Sequence, residues 1–125
     1  MFIIDETMKA RLADICDVLS GADYPDGTYN LETLEPMTFK TGYQVTFCCI
    51  GDNYDNETFS YLVDMFTENS MDGRTYAGKF DGAPEISWRI ADKKTAKRLA
   101  KQFNQICIWD WSKSKSIITG GTGRA

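Results

Sequence analysis

The chain has 125 residues and a formal net charge of −4, and 42% of its residues are hydrophobic. A chain of this length and composition can bury one core without metals or disulfides. General phosphate-backbone binders usually carry a dense basic surface, which an acidic chain lacks. We therefore expect one globular domain that does not bind nucleic acid directly.

The cysteine and apolar patterns bear on metal sites and on location. The chain contains no histidine, and its four cysteines, Cys16, Cys48, Cys49 and Cys107, include no pair at Cys-x-x-Cys spacing. This pattern predicts reduced thiols and neither a metal site nor a cofactor. No run approaches eighteen apolar residues, and the opening four residues are too short for a signal-peptide core. We expect a cytoplasmic protein with no membrane span.

The first forty residues predict one helix followed by irregular chain. Residues 5–20 form an amphipathic helix in this interpretation, with an apolar stripe that Gly21 can end: Met8, Leu12, Ile15, Cys16 and Leu19. Residues 21–30 are rich in turn formers. Residues 31–40 alternate weakly and contain Pro36, which predicts a loop or a short edge strand.

From Tyr43 onward the apolar period changes in a regular order. Tyr43, Val45 and Phe47 alternate as in a strand, and a helix to about residue 68 follows a turn at 51–56. Two strands at 74–80 and 85–90 are joined through an Asp-Gly turn. Asp92 can cap the next helix, and residues 105–111 form a last strand.

This order predicts a ferredoxin-like α+β fold over residues 42–111. In that β-α-β-β-α-β arrangement, a four-stranded antiparallel sheet carries two helices on one face. The N-terminal helix is then the natural cover for the other face of the sheet. The single domain spans residues 1–118, and the glycine-rich residues 119–125 form a flexible tail, because no helix follows to complete a dinucleotide-binding turn.

Two sets of side chains are candidates for function. Asp52, Asp55 and Glu57 lie close together in sequence, but helix capping accounts for them better than a calcium loop does. Trp109 and Trp111 share one face of the last strand, and the other face holds Ile106, Ile108 and Asp110. The tryptophan face is either sealed by the N-terminal helix, which we favour, or open as a binding surface.

Residues 96–110, together with Gly42-Tyr43-Gln44-Val45, resemble small accessory proteins of bacteriophages and mobile elements, including anti-CRISPR inhibitors. The resemblance implies a non-catalytic protein that binds and blocks a protein partner, such as a nucleic-acid-binding CRISPR nuclease complex. The partner-binding candidates are then Asp52, Asp55, Glu57, Asp64, Trp109 and Trp111.

An alternative of another class is a small-molecule-sensing or regulatory domain that forms a homodimer through its sheet. An enzyme that uses a carboxylate and a cysteine is a third hypothesis. The missing histidine and the missing phosphate loop argue against it, so we expect no catalytic activity.

Overall fold

The structure of the chain is a computed structural model that describes residues 6–47 and 55–122. Three helices and seven strands follow one another in these ranges. In chain order they are α1 (Glu6–Leu19), β1 (Gly27–Asn30), β2 (Pro36–Met37), β3 (Tyr43–Phe47), α2 (Asn56–Asn69), β4 (Tyr76–Phe80), β5 (Ala83–Ile90), α3 (Lys93–Gln102), β6 (Cys107–Asp110) and β7 (Lys115–Ile118). No helix within the described ranges is long and apolar enough to cross a membrane.

The strands form one open antiparallel sheet in the order β2-β1-β4-β5-β3-β6-β7. The prediction of a four-stranded ferredoxin-like sheet is therefore wrong, although the α+β class is correct. The four predicted strands lie together in the centre, but β1 and β2 extend the sheet beyond β4, and β7 extends it beyond β6. These three strands have only two to four residues each, which is too short for a period of two to be visible in the sequence.

All three helices pack on the same face of the sheet. Leu12 of α1, Phe66 of α2 and Leu99 of α3 belong to one core cluster with Val45 and Trp88 of the sheet. The expectation that the N-terminal helix would cover the opposite face is therefore wrong. The added strands explain the difference: β1 and β2 widen the sheet beyond β4, and Leu19 of α1 packs there against Tyr29 of β1 and Ala77 of β4.

Local hydrogen bonds set the limits of the central elements as the sequence predicts. The Asp55 carboxylate accepts a hydrogen bond from the Thr58 amide (2.8 Å) at the start of α2, and Asp92 does the same for Thr95 (2.9 Å) at the start of α3. The β4–β5 turn places Asp81 and Gly82 at φ values of 51° and 77°. A two-residue turn with positive φ at both positions matches the twist of a hairpin.

Candidate functional site: the open face of the sheet

The sheet face opposite the helices forms a cleft of about 720 Å³. Met37 of β2 and Ser116 of β7, which lie in the two edge strands, line this same cleft. Because strands at both edges contribute to one cavity, the sheet curves around it. The open face is therefore a concave surface and not a flat one.

Alternate residues of β3 and β5 form a polar floor in the cleft. Gln44 Nε2 donates to Ser87 Oγ at 2.8 Å, and Thr46 Oγ1 donates to Glu85 Oε1 at 3.1 Å. Gln44 and Ser87 are buried, whereas Thr46 and Glu85 are half-buried. The floor thus consists of hydrogen-bonded side chains, with Glu85 as its one acidic member.

The Glu85 carboxyl has an unusual affinity for its proton. The pKa of Glu85 is raised from 4.5 to about 8: burial is the main cause, the nearby Asp26 carboxylate adds to it, and the hydrogen bond from Thr46 partly offsets the two. The side chain is therefore a neutral carboxylic acid at neutral pH. In that form it can donate a hydrogen bond as well as accept one.

A glycine keeps the space beside Glu85 free. Gly78 lies directly opposite both Glu85 and Thr28 in the strand pairing, so all three share the open face. A Cβ at Gly78 would lie 3.3 Å from the Gly27 carbonyl oxygen and 3.9 Å from Cγ of Glu85. A larger residue at Gly78 would therefore crowd the floor next to the carboxyl.

Aromatic side chains form the wall at one end of the cleft. The rings of Trp109 and Trp111 meet edge to face with their centroids 6.1 Å apart, and Trp111 Nε1 donates to Gln44 Oε1 at 3.0 Å. Phe39 packs against Trp111 with centroids 5.3 Å apart, and the Arg89 guanidinium lies 3.8 Å from the centre of the Phe39 ring. These contacts hold the wall in place, and both tryptophans stay half-buried.

The structure places the partner-binding residues predicted from the sequence on two opposite sides. Asp55, Glu57 and Asp64 belong to the start and body of α2, on the helical side of the sheet, whereas Trp109 and Trp111 face the cleft. Asp52 lies outside the described residues. The acidic and aromatic candidates are therefore not brought together into one site.

The floor of the cleft was not predicted from the sequence, although the residue pattern of β5 contains a signal for it. The alternation in the β5 segment places Glu85 and Ser87 opposite the buried Trp88, as observed, but the expected cover by the N-terminal helix concealed their role. Ile106, which was grouped with Ile108, lines the cleft and is 39% exposed because β6 begins only at Cys107.

The side chains of the described residues do not form a metal site. Within residues 6–47 and 55–122, no group of three or more histidine, cysteine or acidic side chains could hold a metal ion. Comparison with known proteins finds no matching family model, no matching curated protein and no matching solved structure.

Proposed function

We propose that this protein binds a small organic molecule in the cleft on the open face of its sheet. The observation that carries the proposal is the half-buried Glu85 carboxyl, hydrogen-bonded to Thr46, on the floor of an aromatic-walled cavity of about 720 Å³. Binding sites for small molecules typically measure about 300 to 1,000 Å³ and combine apolar walls with a few converging polar groups. The cleft has both properties.

The chemistry of Glu85 supports a role in binding more than a role in stability. Burying a carboxyl in an apolar setting costs free energy that a threonine or glutamine at the same position would avoid. Strongly shifted pKa values in clefts are typical of functional sites. Gly78 adds to this argument, because its missing side chain leaves room beside the carboxyl.

The hypothesis of a blocking protein shares only the two tryptophans with this cleft and stays a prediction. Its acidic candidates lie on α2 and its tryptophans lie in the cleft, so one flat partner surface would not contact both sets. Dimerisation through the sheet would occlude the cleft. The cytoplasmic location and the non-catalytic character also stay predictions.

Dye binding tests the proposed function directly. Nile red, a neutral dye whose emission rises in apolar surroundings, is titrated into the protein and into two variants. Thr28→Trp fills the cleft beside Gly78, and Thr33→Trp places the same side chain on an exposed turn. We expect saturable emission for the wild type and Thr33→Trp, and its loss in Thr28→Trp.

The folded state of each variant is checked by circular dichroism and its melting temperature. An unchanged dye signal in a folded Thr28→Trp variant would place the dye outside the cleft and contradict the proposal. An absence of saturable Nile red binding to the wild type would also contradict the proposal.

A further inference from the structure

We propose that the ligand of this cleft is an elongated organic cation, with its ammonium group at Glu85 and its apolar body along Trp109. This inference rests on the proposed function, since it names the ligand class of the same site.

The described charges around Glu85 leave room for a positive group. The Asp26 carboxylate lines the cleft and raises the pKa of Glu85. The Cys107 thiol lines the cleft from β6, and its pKa is raised by burial and by Glu85, while a hydrogen bond with Ser116 lowers it. The Lys79 ammonium donates instead to the carbonyl oxygens of Gly21 (3.1 Å) and Tyr24 (2.9 Å). Among the described residues, the charge that acts on Glu85 is therefore the negative one of Asp26, and a cation from a ligand would balance it.

The surroundings of the carboxyl also suit an organic cation. Phe80 lies on the open face two residues beyond Gly78, the strand partner of Glu85, and is 40% exposed at the cleft. An aromatic ring face attracts ammonium groups. The Asp26 carboxylate is fixed at the same end of the cleft, because it accepts hydrogen bonds from the amides of Asp81 (2.7 Å) and Gly82 (3.1 Å).

The distance between Glu85 and Trp109 sets the length of the ligand. Gln44 of β3 pairs with Arg89 of β5 on one side and with Trp109 of β6 on the other, so Arg89 and Trp109 lie level with each other, two strands apart. Glu85 lies four residues before Arg89 along β5. At ordinary strand spacings this is about 13 Å along the sheet and about 10 Å across it, before the side chains reach inward. A ligand that contacts both groups is therefore elongated, with a charged end and an apolar end.

Cation binding should be coupled to the release of a proton. An ammonium group favours the carboxylate form, so Glu85 gives its proton to the solvent when the cation binds below about pH 8. Affinity should then rise with pH by about tenfold per unit and level off above that pH. A ligand that accepts a hydrogen bond from the neutral acid would show no rise, and its affinity would fall above about pH 8.

Three probes that share one body separate these cases. Phenylbutylamine, phenylbutanol and phenylbutyrate carry a cationic, a neutral and an anionic head on the same phenyl chain. Calorimetric titrations near pH 6 and pH 7, each in two buffers of different ionisation enthalpy, give the affinity and the number of protons released. We expect phenylbutylamine to bind at least tenfold more tightly than the other two and to release about one proton.

Two matched variants assign the effect to Glu85. Glu85→Gln should remove both the preference for the amine and the proton release, while Nile red still binds. Glu68→Gln replaces an exposed carboxylate on α2, outside the cleft lining, and should leave all three titrations unchanged. Tighter binding of the alcohol or the carboxylate, or an unchanged preference in Glu85→Gln, would overturn the cation assignment. If the wild type binds Nile red but not the amine, only the ligand class is overturned. If the wild type binds neither Nile red nor the amine, the proposed function is overturned as well.

Discussion

Glu85 should make the stability of the whole fold depend on pH. Its pKa is about 8 in the folded state and near the ordinary value of 4.5 when the chain unfolds. Between these values the folded state holds a proton that the unfolded state has lost, so the free energy of unfolding falls as pH rises and levels off above about pH 8. The loss should reach about 2 to 4 kcal/mol between about pH 5 and pH 8, because part of the side chain remains open to the cleft.

Glu85→Gln provides the comparison for this prediction, because an amide of the same shape does not titrate. Urea unfolding at each pH, with Glu68→Gln as the control, measures the difference between the wild type and the variant. We expect the variant to become the more stable protein towards high pH. A wild-type curve that stays parallel to the Glu85→Gln curve would show that the carboxyl is ionised in the folded state.

The two faces of the sheet should respond differently to the same substitution. Trp88 is fully buried, stacks on Phe66 with centroids 4.5 Å apart, and donates from Nε1 to Thr75 Oγ1 at 3.0 Å. Trp88→Phe should lower the free energy of unfolding by about 2 to 3 kcal/mol, because it leaves a void in the core and removes the hydrogen bond to Thr75. Trp109→Phe on the open face should cost less than about 1 kcal/mol. Equal costs in urea unfolding would contradict the assignment of the helical face as the core.

At the scale of an element, Asp55 determines how α2 begins. Its carboxylate accepts a hydrogen bond from the Thr58 amide at 2.8 Å, so Asp55→Ala should destabilise the protein by about 1 kcal/mol. Asp55→Asn keeps an equally good cap without the charge and should leave the melting temperature nearly unchanged. Only Asp55→Asn therefore tests the predicted role of this charge in partner binding without a change in stability. A loss of stability in Asp55→Asn equal to that in Asp55→Ala would show that the charge, and not the cap, supports the helix.

The elements differ in how clearly the sequence encodes them. The central strands and the helices are visible because their apolar residues repeat, as Val45, Ile86, Trp88 and Leu99 do in the core. Strands β1, β2 and β7 have mixed polar residues, and each is ordered by its neighbour in the sheet: β1 by β4, β2 by β1 and β7 by β6. No local sequence pattern records these pairings. The cleft is hidden for the same reason: Glu85 becomes distinctive only when the added strands curve the sheet and α1 joins the other helices.

For the molecule as a whole, the sheet should open from its edges towards its centre. Strand β5 has eight residues, pairs with β4 and β3 on its two sides, and carries the fully buried Trp88. Strand β7 pairs with β6, and its Ile118 is 71% exposed, while β2 has only two residues. Backbone amides in central, buried strands exchange only through global unfolding, whereas those at edges exchange through local fraying.

Hydrogen exchange followed by mass spectrometry tests this order on the intact chain. We expect peptides from β3 and β5 to be the last to take up deuterium and peptides from β2 and β7 to be among the first. Protection of β7 equal to that of β5 would mean that another strand pairs with its edge. A repeat after tenfold dilution would then separate a second copy of the chain, whose protection falls with concentration, from pairing within one chain, whose protection does not.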